Sequence, residues 1–467
     1  MKKFHLVVAL SSLFLATACR DNRRNQVEKP TSDTTYKAAP PAPDWAKFAT
    51  IYEINTGQFS HQGNFKGIEA QLPRLKEMGV DVIWLMPIYP ISRKDKQGTL
   101  GNPYAVADYE SINSDYGTLS EFKSLVNRTH ALGMRVVLDW VASHTGTDHT
   151  WMINHPDWYS KKDGKLIHPT DAKIGKPTGW DNVVKLDYDN PAVRQAMIDA
   201  MQYWVRETNI DGFRCTAAGY VPNTFWSELR PKLDKIKPMF MLAEWEDDPT
   251  QFKHGFNMNY SWSLYHMMKN VAKGVATADK IDSVCSANQQ RFPAWYYQML
   301  FTQNHNENAN DGTLTEVFGP GADAFVVLSS TLQGMPLVYN GMESNLSRRL
   351  NLFNKDSIAW GNYAKSDFYK TLLTLKHRNR ALWNGKDGGK FEKISTDHDD
   401  KIYAFHRQRD NDRVVVILNL SNRNQTVRLN GDVYVGMYTE VFSHQPVDLR
   451  SDMLVSLRPW EYRVLTN

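Results

Sequence analysis

Eight short apolar segments, separated by polar and helix-forming stretches, constrain the fold of this chain more than any other feature. Helical periodicity occupies several of the intervals, including 67–76, 120–133, 191–208 and 225–236. Apolar strands that alternate with amphipathic helices predict a parallel sheet covered by helices. Eight such units close into a (β/α)8 TIM barrel. The predicted strands are ATIYEI (49–54), VDVIWLMPI (80–88), MRVVLDWV (134–141), IDGFRC (210–215), MFMLAEW (239–245), FNMNYSW (256–262), YYQMLFTQN (296–304) and MPLVYNG (335–341).

Two further regions depart from the barrel pattern. A long polar stretch at about 145–190 follows the third strand and is rich in His, Asp, Trp and Gly. Long segments of this kind in compact domains are usually functional, and we expect a small subdomain near the barrel mouth. From residue 385 the sequence alternates in the manner of β-strands, without helical segments, which predicts an all-β sandwich. The predicted domains are therefore a barrel at 45–384 and a C-terminal sandwich at 385–467.

The N-terminus carries a predicted export signal. Lys2 and Lys3 precede an apolar run that ends in small residues before Cys19. This arrangement predicts a lipoprotein-type signal peptide at 1–19, with acylation at Cys19, and leaves plain secretion as the alternative. Residues 20–44 are polar and contain proline, so we expect a tether. The expected location is the bacterial cell envelope, with the protein anchored to a membrane by lipid.

Composition limits the possible partners. The chain has 467 residues, with 55 basic and 51 acidic side chains and a formal net charge of +4. This charge is too small and too dispersed to indicate a nucleic-acid partner. Cys215 and Cys285 form no metal-binding or disulfide pattern that the sequence reveals.

Polar residues cluster where the predicted strands end. In a parallel barrel these carboxyl ends share one mouth, where catalytic and binding groups collect. Two histidines, an arginine and a carboxylate at one mouth predict a site that recognises hydroxyl groups. The residues at these positions are Asp139, His144, Arg214, Thr216, Glu244, Asn304, His305 and Asn306.

Four segments at these strand ends resemble the signature regions of the α-amylase family of glycoside hydrolases. They are LDWVASH (138–144), GFRCTAA (212–218), LAEW (242–245) and FTQNHN (301–306). Further similarity occurs in NPYAVADYESINSDYGT (102–118), VKLDYDN (184–190) and GMPLVYNGMES (334–344). The resemblance covers roughly residues 45–467, and the joint match is far more specific than any one segment.

The resemblance implies a role for each matching position. Members of this family cleave α-linked glucans with an aspartate nucleophile, a glutamate acid/base and a second aspartate that stabilises the transition state. The acid/base falls on Glu244, whereas the nucleophile falls on Thr216 and the stabiliser on Asn306. The resemblance also implies sugar contacts for Tyr104, His144, Arg214, His305 and Trp245, and support of the site by Asp139. No cofactor is expected, because Ser143 replaces the asparagine that commonly binds calcium.

These replacements predict a change of function. Retaining glycosidases need two carboxyl groups about 5–5.5 Å apart, and a threonine hydroxyl is a weak nucleophile without an adjacent base. With the expected anionic neighbours of Arg214 absent, Glu244 should either pair with Arg214 or remain simply ionised, and neither state suits a general acid. We therefore expect binding of α-linked glucan or maltooligosaccharide with hydrolysis lost or strongly impaired, and presentation of sugar to envelope glycan-uptake proteins.

Two alternatives remain open from the sequence. The first is an active hydrolase or transglycosylase that uses Glu244 with a substitute carboxylate. Asp187, Asp211 and Glu307 are the nearest carboxylates along the sequence, although Asp211 is more readily explained as structural. The second alternative is an amylase-like interaction scaffold in which sugar binding itself has been lost.

Overall fold

A computed structural model describes residues 42–170 and 178–467 of the chain. The predicted signal peptide with Cys19 and most of the predicted tether lie outside the described residues, as do residues 171–177 of the predicted subdomain. Within the two described ranges, no helix has the length and hydropathy needed to cross a membrane.

The strands are numbered here in chain order. They are β1 (Ile51–Ile54), β2 (Val82–Leu85), β3 (Arg135–Trp140), β4 (His144–Gly146), β5 (Lys161–Lys162), β6 (Lys165–Leu166), β7 (Val183–Lys185), β8 (Gly212–Cys215), β9 (Phe240–Ala243), β10 (Met258–Tyr260), β11 (Tyr297–Leu300), β12 (Met335–Tyr339), β13 (Lys390–Ile394), β14 (Ile402–Arg409), β15 (Asp412–Asn419), β16 (Gln425–Arg428), β17 (Gly436–Glu440), β18 (Pro446–Leu449), β19 (Leu454–Leu457) and β20 (Tyr462–Thr466).

The α-helices are numbered in the same way. They are α1 (Thr56–Phe59), α2 (Phe65–Glu69), α3 (Leu72–Met78), α4 (Leu119–Ala131), α5 (Thr150–Asn154), α6 (Pro191–Thr208), α7 (Asn223–Asp234), α8 (Trp262–Ala272), α9 (Lys280–Arg291), α10 (His305–Asn310), α11 (Leu314–Phe318), α12 (Ala322–Thr331) and α13 (Ser366–Arg378).

The predicted barrel is confirmed. Eight parallel strands close in the order β1-β12-β11-β10-β9-β8-β3-β2. Strands such as β2 and β9 are buried along their whole length, as their continuous apolar sequences predict. One predicted helix is wrong in detail, since 67–76 divides into α2 and α3, with Pro73 in the first turn of the second helix. Proline is favoured at this position because its missing N–H would have no partner there.

Asp139 and Arg214 lie inside β3 and β8, near the carboxyl ends of these strands and within the predicted strands 134–141 and 210–215. The two strands pair in register, so that Asp139 lies opposite Arg214 across the barrel wall. The contact between the Asp139 carboxylate and the Arg214 guanidinium is therefore set by strand pairing and does not depend on the loops.

The C-terminal region is all-β, as predicted. A six-stranded sheet has the order β13-β14-β15-β20-β17-β18, and β16 pairs separately with β19. The segment 453–465 forms β19 and β20 separated by a turn in which Trp460 has a positive φ of 59°.

The region after β3 contains short paired strands. Strand β4 pairs antiparallel with β7, and β5 pairs with β6. The β4–β7 pair places the segment just before β7, which includes Trp180 and Asn182, beside the barrel mouth. This segment thus contributes to the wall of the site described below.

Substitution of Trp204 on α6 tests how much the packing of this helix contributes to the stability of the barrel. The Trp204 side chain is fully buried, its indole N–H donates to the carbonyl of Tyr109 at 2.7 Å, and its ring packs edge-on against Tyr89. We expect Trp204→Ala to lower the free energy of unfolding by about 3–5 kcal/mol, because it opens a large cavity and leaves a buried carbonyl unpaired. Urea denaturation measures the loss, with Tyr203→Ala on the half-buried neighbouring side chain as the matched control. Equal losses for the two variants would contradict this account of the packing.

Candidate active site

A cavity of about 560 Å³ opens at the mouth of the barrel. Its wall combines strand-end residues with the segment before β7 and the loop at 349–353. Such a volume is within the range of ligand-binding pockets. The polar and aromatic residues that line it include Gln97, Asn102, Tyr104, His144, Trp180, Asn182, Thr216, Glu244, His305, Asn306, Arg349 and Asn351.

Arg214 is fully buried and contacts Glu244, which lines the cavity, although Arg214 itself does not. Its Nη1 donates to both carboxylate oxygens of Asp139, at 2.9 and 3.1 Å, and its Nη2 lies 2.6 Å from Glu244 Oε1. Its Nε donates to the hydroxyl of Tyr260 at 3.0 Å. A buried charge needs such partners, because burial without them is very costly. The expected ion pair between Arg214 and Glu244 is therefore present.

Glu244 follows β9 and is surrounded by donors. Its Oε1 forms the ion pair with Arg214. Its Oε2 accepts a hydrogen bond from Thr216 Oγ1 at 2.6 Å and another from the backbone N–H of Ala217 at 2.9 Å. Burial by itself would raise the pKa of Glu244, but Arg214, Thr216 and the Ala217 N–H outweigh it, and the pKa is lowered. The carboxylate is therefore held in its ionised form.

The two positions that lack a carboxylate also lie at this cavity. Thr216 directly follows β8 and donates its hydroxyl proton to Glu244. Asn306 lies in the first turn of α10, and its Oδ1 accepts a hydrogen bond from Asn310 at 2.7 Å. Both residues line the cavity. Glu244 is the one carboxylate among the described residues that line it.

The three substitute carboxylates considered from the sequence lie elsewhere. Asp211 precedes β8 at the opposite end of the barrel, where it pairs with His130 and Lys237 at 2.7 Å each. Asp187 and Glu307 are also absent from the described lining of the cavity. None of the three lines the cavity that contains Glu244.

A hydrogen-bonded chain connects the two sides of the site floor. The Tyr104 hydroxyl donates to Asp139 Oδ2 at 3.0 Å and lies 2.9 Å from His305 Nε2. The other nitrogen of His305, Nδ1, lies 2.5 Å from Oε1 of Glu53, a fully buried residue of β1. Burial raises the pKa of Asp139 to about 6, although Arg214 and His305 act in the opposite direction. Because both nitrogens of His305 have protein partners, a sugar hydroxyl must displace Tyr104 to reach this ring.

His144 completes the histidine pair predicted for the site. Its Nδ1 lies 2.8 Å from the hydroxyl of Ser143, and burial lowers its pKa to about 4. It is therefore neutral near pH 7 and can exchange a hydrogen bond with a hydroxyl group. In residues 42–170 and 178–467, no group of three or more His, Cys, Asp or Glu side chains is arranged to hold a metal ion.

A second cavity, of about 520 Å³, lies on the other side of Glu244. Trp245, predicted from the sequence as a sugar contact, lines this cavity rather than the first. Trp180 and Glu244 line both cavities. Trp262 adds a third indole ring to the second cavity. The two spaces therefore share a boundary at Glu244.

Sequence reasoning missed several residues of the site, among them Gln97, Asn102, Arg349 and Asn351 of the cavity lining and three that bear on its chemistry. Glu53 is a charged residue within an apolar strand, and this unusual position could have indicated a buried partner. Trp180 is 38% exposed, and Asn182 is buried with its Oδ1 lacking a hydrogen-bond partner. An unpaired acceptor in a cavity wall can receive a hydrogen bond from a ligand. The polar loop around 178–182 carried no periodicity from which its position could be predicted.

Comparisons with known proteins agree with the fold. The α-amylase catalytic domain model matches residues 51–416, and the maltogenic amylase C-terminal domain model matches residues 391–464. The chain thus combines a barrel of the glycoside-hydrolase kind with an all-β C-terminal domain, and it belongs to the α-amylase family.

Individual relatives are distant but span most of the chain. α-Amylase MalA of Haloarcula japonica is 27% identical over 86% of this chain, which spans only 60% of that relative's length. α-Amylase 3 of Dictyoglomus thermophilum is 25% identical over 83% of this chain and 88% of its own. The solved structure of a maltogenic α-amylase, AmyB of Thermotoga neapolitana, has a TM-score of 0.79 at 27% identity and covers 90% of this chain and 98% of its own. An α-amylase from Lactobacillus plantarum has a TM-score of 0.80 at 27% identity, over 90% and 99% of the two chains.

The hydroxyl of Thr216 provides a direct test of how Glu244 is held. Thr216→Val keeps the shape of the side chain but removes the donor, so we expect the pKa of Glu244 to rise. A carboxylate whose folded pKa is low stabilises the protein at neutral pH, and this contribution is lost as the pH falls through the folded pKa. The contribution should therefore be smaller in the variant, and its loss should be complete at a higher pH. Carboxyl ¹³C NMR titration measures the change, and an unaltered Glu244 titration would contradict the assigned hydrogen bond.

Proposed function

We propose that this protein binds α-linked glucan or maltooligosaccharide at the barrel mouth and that hydrolysis is lost or strongly impaired. One observation carries the proposal: Glu244 is the single carboxylate among the described residues lining the mouth cavity, and it already forms an ion pair with Arg214 and accepts hydrogen bonds from Thr216 and Ala217. Retaining hydrolysis needs a second carboxyl group about 5–5.5 Å away.

The chemistry of the remaining groups supports the loss of hydrolysis. A general acid must hold a proton near the working pH, whereas Arg214 and Thr216 keep Glu244 ionised. Neither Thr216 nor Asn306 supplies the negative charge that an oxocarbenium-like transition state needs. Removal of one member of a catalytic unit costs on the order of four to six powers of ten in turnover. The same magnitude is expected here.

The cavity keeps the features that sugar binding requires. His144 is neutral, Asn182 has an unpaired acceptor, and Trp180 presents an aromatic surface. A largely preformed pocket with aromatic walls and a few directed polar groups is the usual form of a small-ligand site. These features distinguish the proposal from a pure interaction scaffold, in which there would be no reason for them to remain together.

An active hydrolase is the second candidate, and one observation favours it. Glu246 and Asp247 line the second cavity together with Glu244, so carboxylates do exist on that side. Glu246, however, accepts hydrogen bonds from the backbone N–H and the hydroxyl of Ser263, at 2.7 and 2.5 Å, in the first turn of α8. A carboxylate in this position stabilises the start of a helix. We therefore rank this candidate second.

We further propose that the protein works in the bacterial cell envelope, attached by lipid at Cys19. The support is the sequence around Cys19, which lies outside the described residues. A binding protein anchored there would retain oligosaccharides near envelope glycan-uptake proteins. Metabolic labelling with a fatty-acid analogue tests the anchor, and labelling that persists in Cys19→Ser would contradict it.

Restoring the carboxylates tests the proposed loss of hydrolysis. Thr216→Asp with Asn306→Asp should raise the release of reducing sugar from maltoheptaose by at least about 100-fold, because a nucleophile and a stabilising charge return. A carboxylate at 216 should also raise the pKa of Glu244, which helps it to hold a proton.

Two controls accompany this double variant. Thr216→Asn with Asn306 unchanged has similar bulk but no added charge, and it should stay inactive. Adding Glu244→Gln to the restored variant should abolish turnover. Turnover by the unaltered protein that disappears in Glu244→Gln would overturn the proposal in favour of an active hydrolase.

A further inference from the structure

A third cavity, of about 370 Å³, lies on the flank of the barrel, among residues that do not line the mouth. We call it the flank cavity. Its lining comes from α9, from β11 with the residues just before it, from the segment 332–334 between α12 and β12, and from the start of β13. The C-terminal domain therefore contributes part of its wall.

The polar lining of the flank cavity is almost entirely uncharged. Four carboxamide side chains line it, whereas Lys390 is its one charged residue within the described ranges. A site for phosphate needs several cationic groups or backbone donors, and a metal site needs carboxylates, imidazoles or thiolates. The flank cavity therefore suits a neutral ligand with hydroxyl groups. The carboxamides are Asn288, Gln289, Gln298 and Gln333.

Gln298 on β11 is the most informative of these residues. Its side chain forms no hydrogen bond within the described part of the protein, and its Nε2 is buried. A buried polar group without a partner costs about 1–3 kcal/mol, so its presence in a folded protein calls for an explanation. A ligand that exchanges hydrogen bonds with this carboxamide would provide one.

The rim and the walls fit the same kind of ligand. Gln289 Nε2 donates to Gln333 Oε1 at 3.1 Å, so two carboxamides are linked at the rim. Phe292, Tyr297 and Phe391 supply the apolar walls. Aromatic walls with a few uncharged hydrogen-bonding groups recognise ligands that have both apolar faces and polar edges. A sugar ring has both.

We propose that the flank cavity is a second carbohydrate site that binds a short α-linked oligosaccharide. The choice of an α-linked sugar rests on the function proposed for the barrel mouth. A long glucan can then bind at both sites of one protein molecule. Once it is bound at one site, the rest of the chain is at a high effective concentration near the other site. The affinity for long chains then exceeds that of the mouth alone.

Chemical modification of Cys285 reports on ligand binding in the flank cavity. Cys285 lines the cavity and is partly exposed, whereas Cys215 is fully buried in β8. Burial raises the pKa of the Cys285 thiol to about 12, so modification should be slow and is best followed at pH 9. In a Cys19→Ser background, maltotriose at ten times its Kd should slow modification by methanethiosulfonate on the order of tenfold. Equal protection by β-linked cellotriose would overturn the α-glucan assignment.

Gln298→Leu tests the carboxamide itself. Because this side chain forms no hydrogen bond, its replacement should not lower the stability, yet the protection of Cys285 by maltotriose should be lost. The matched control is Gln251→Leu, since Gln251 is also buried with both side-chain polar atoms unpaired but lines none of the three cavities. Protection should remain normal in this control.

The outcomes separate this proposal from the function proposed for the mouth. Sugar binding at the mouth is followed independently by tryptophan fluorescence in the Trp180→Phe variant and the unaltered protein. The proposed flank site is overturned if maltotriose still protects Cys285 in Gln298→Leu. It is also overturned if maltotriose binds at the mouth but does not protect Cys285. Protection that is present while the mouth shows no binding supports the flank site and removes the proposed function of the mouth.

Discussion

The buried guanidinium of Arg214 is the constraint around which the site is built. It enters the barrel wall on β8, directly opposite Asp139 on β3, and burial obliges it to keep anionic partners. Asp139 satisfies one edge and Glu244 the other. Removing either partner would leave a buried charge poorly compensated. The fold therefore holds Glu244 for structural as well as chemical reasons, which explains how this glutamate can remain in a site that lacks the other two carboxylates.

In this arrangement Glu244 is an ionised partner of Arg214 and not a proton donor. Its oxygens are occupied by Arg214, by Thr216 and by a backbone N–H, all of which favour the ionised form. On the far side of the floor, Glu53 holds His305, which in turn contacts Tyr104. Most hydrogen-bonding groups of the floor thus have protein partners. Sugar recognition then depends more on the wall, where the Trp180 ring is partly exposed and the Asn182 Oδ1 has no hydrogen-bond partner.

The sequence predicted the barrel, the all-β domain and most strand ends because apolar periodicity and parallel-strand burial follow simple rules. Asp139 and Arg214 were predicted as site residues within strands, but the pairing of one opposite the other depends on register, which periodicity does not specify. The role of Glu53 depends on a contact with His305 across the barrel, more than 250 residues away. Trp180 and Asn182 lie in an irregular loop, where position depends on tertiary contacts alone.

One NMR experiment addresses the central claim, that this member of the α-amylase family holds glucan without cleaving it. Maltoheptaose is incubated with the protein in a single sample. Saturation transfer from protein to sugar reports binding, and the anomeric signals of new reducing ends report hydrolysis. The account predicts saturation transfer with no increase in reducing ends over the time of the experiment. Accumulation of new reducing ends that stops in Glu244→Gln would contradict it.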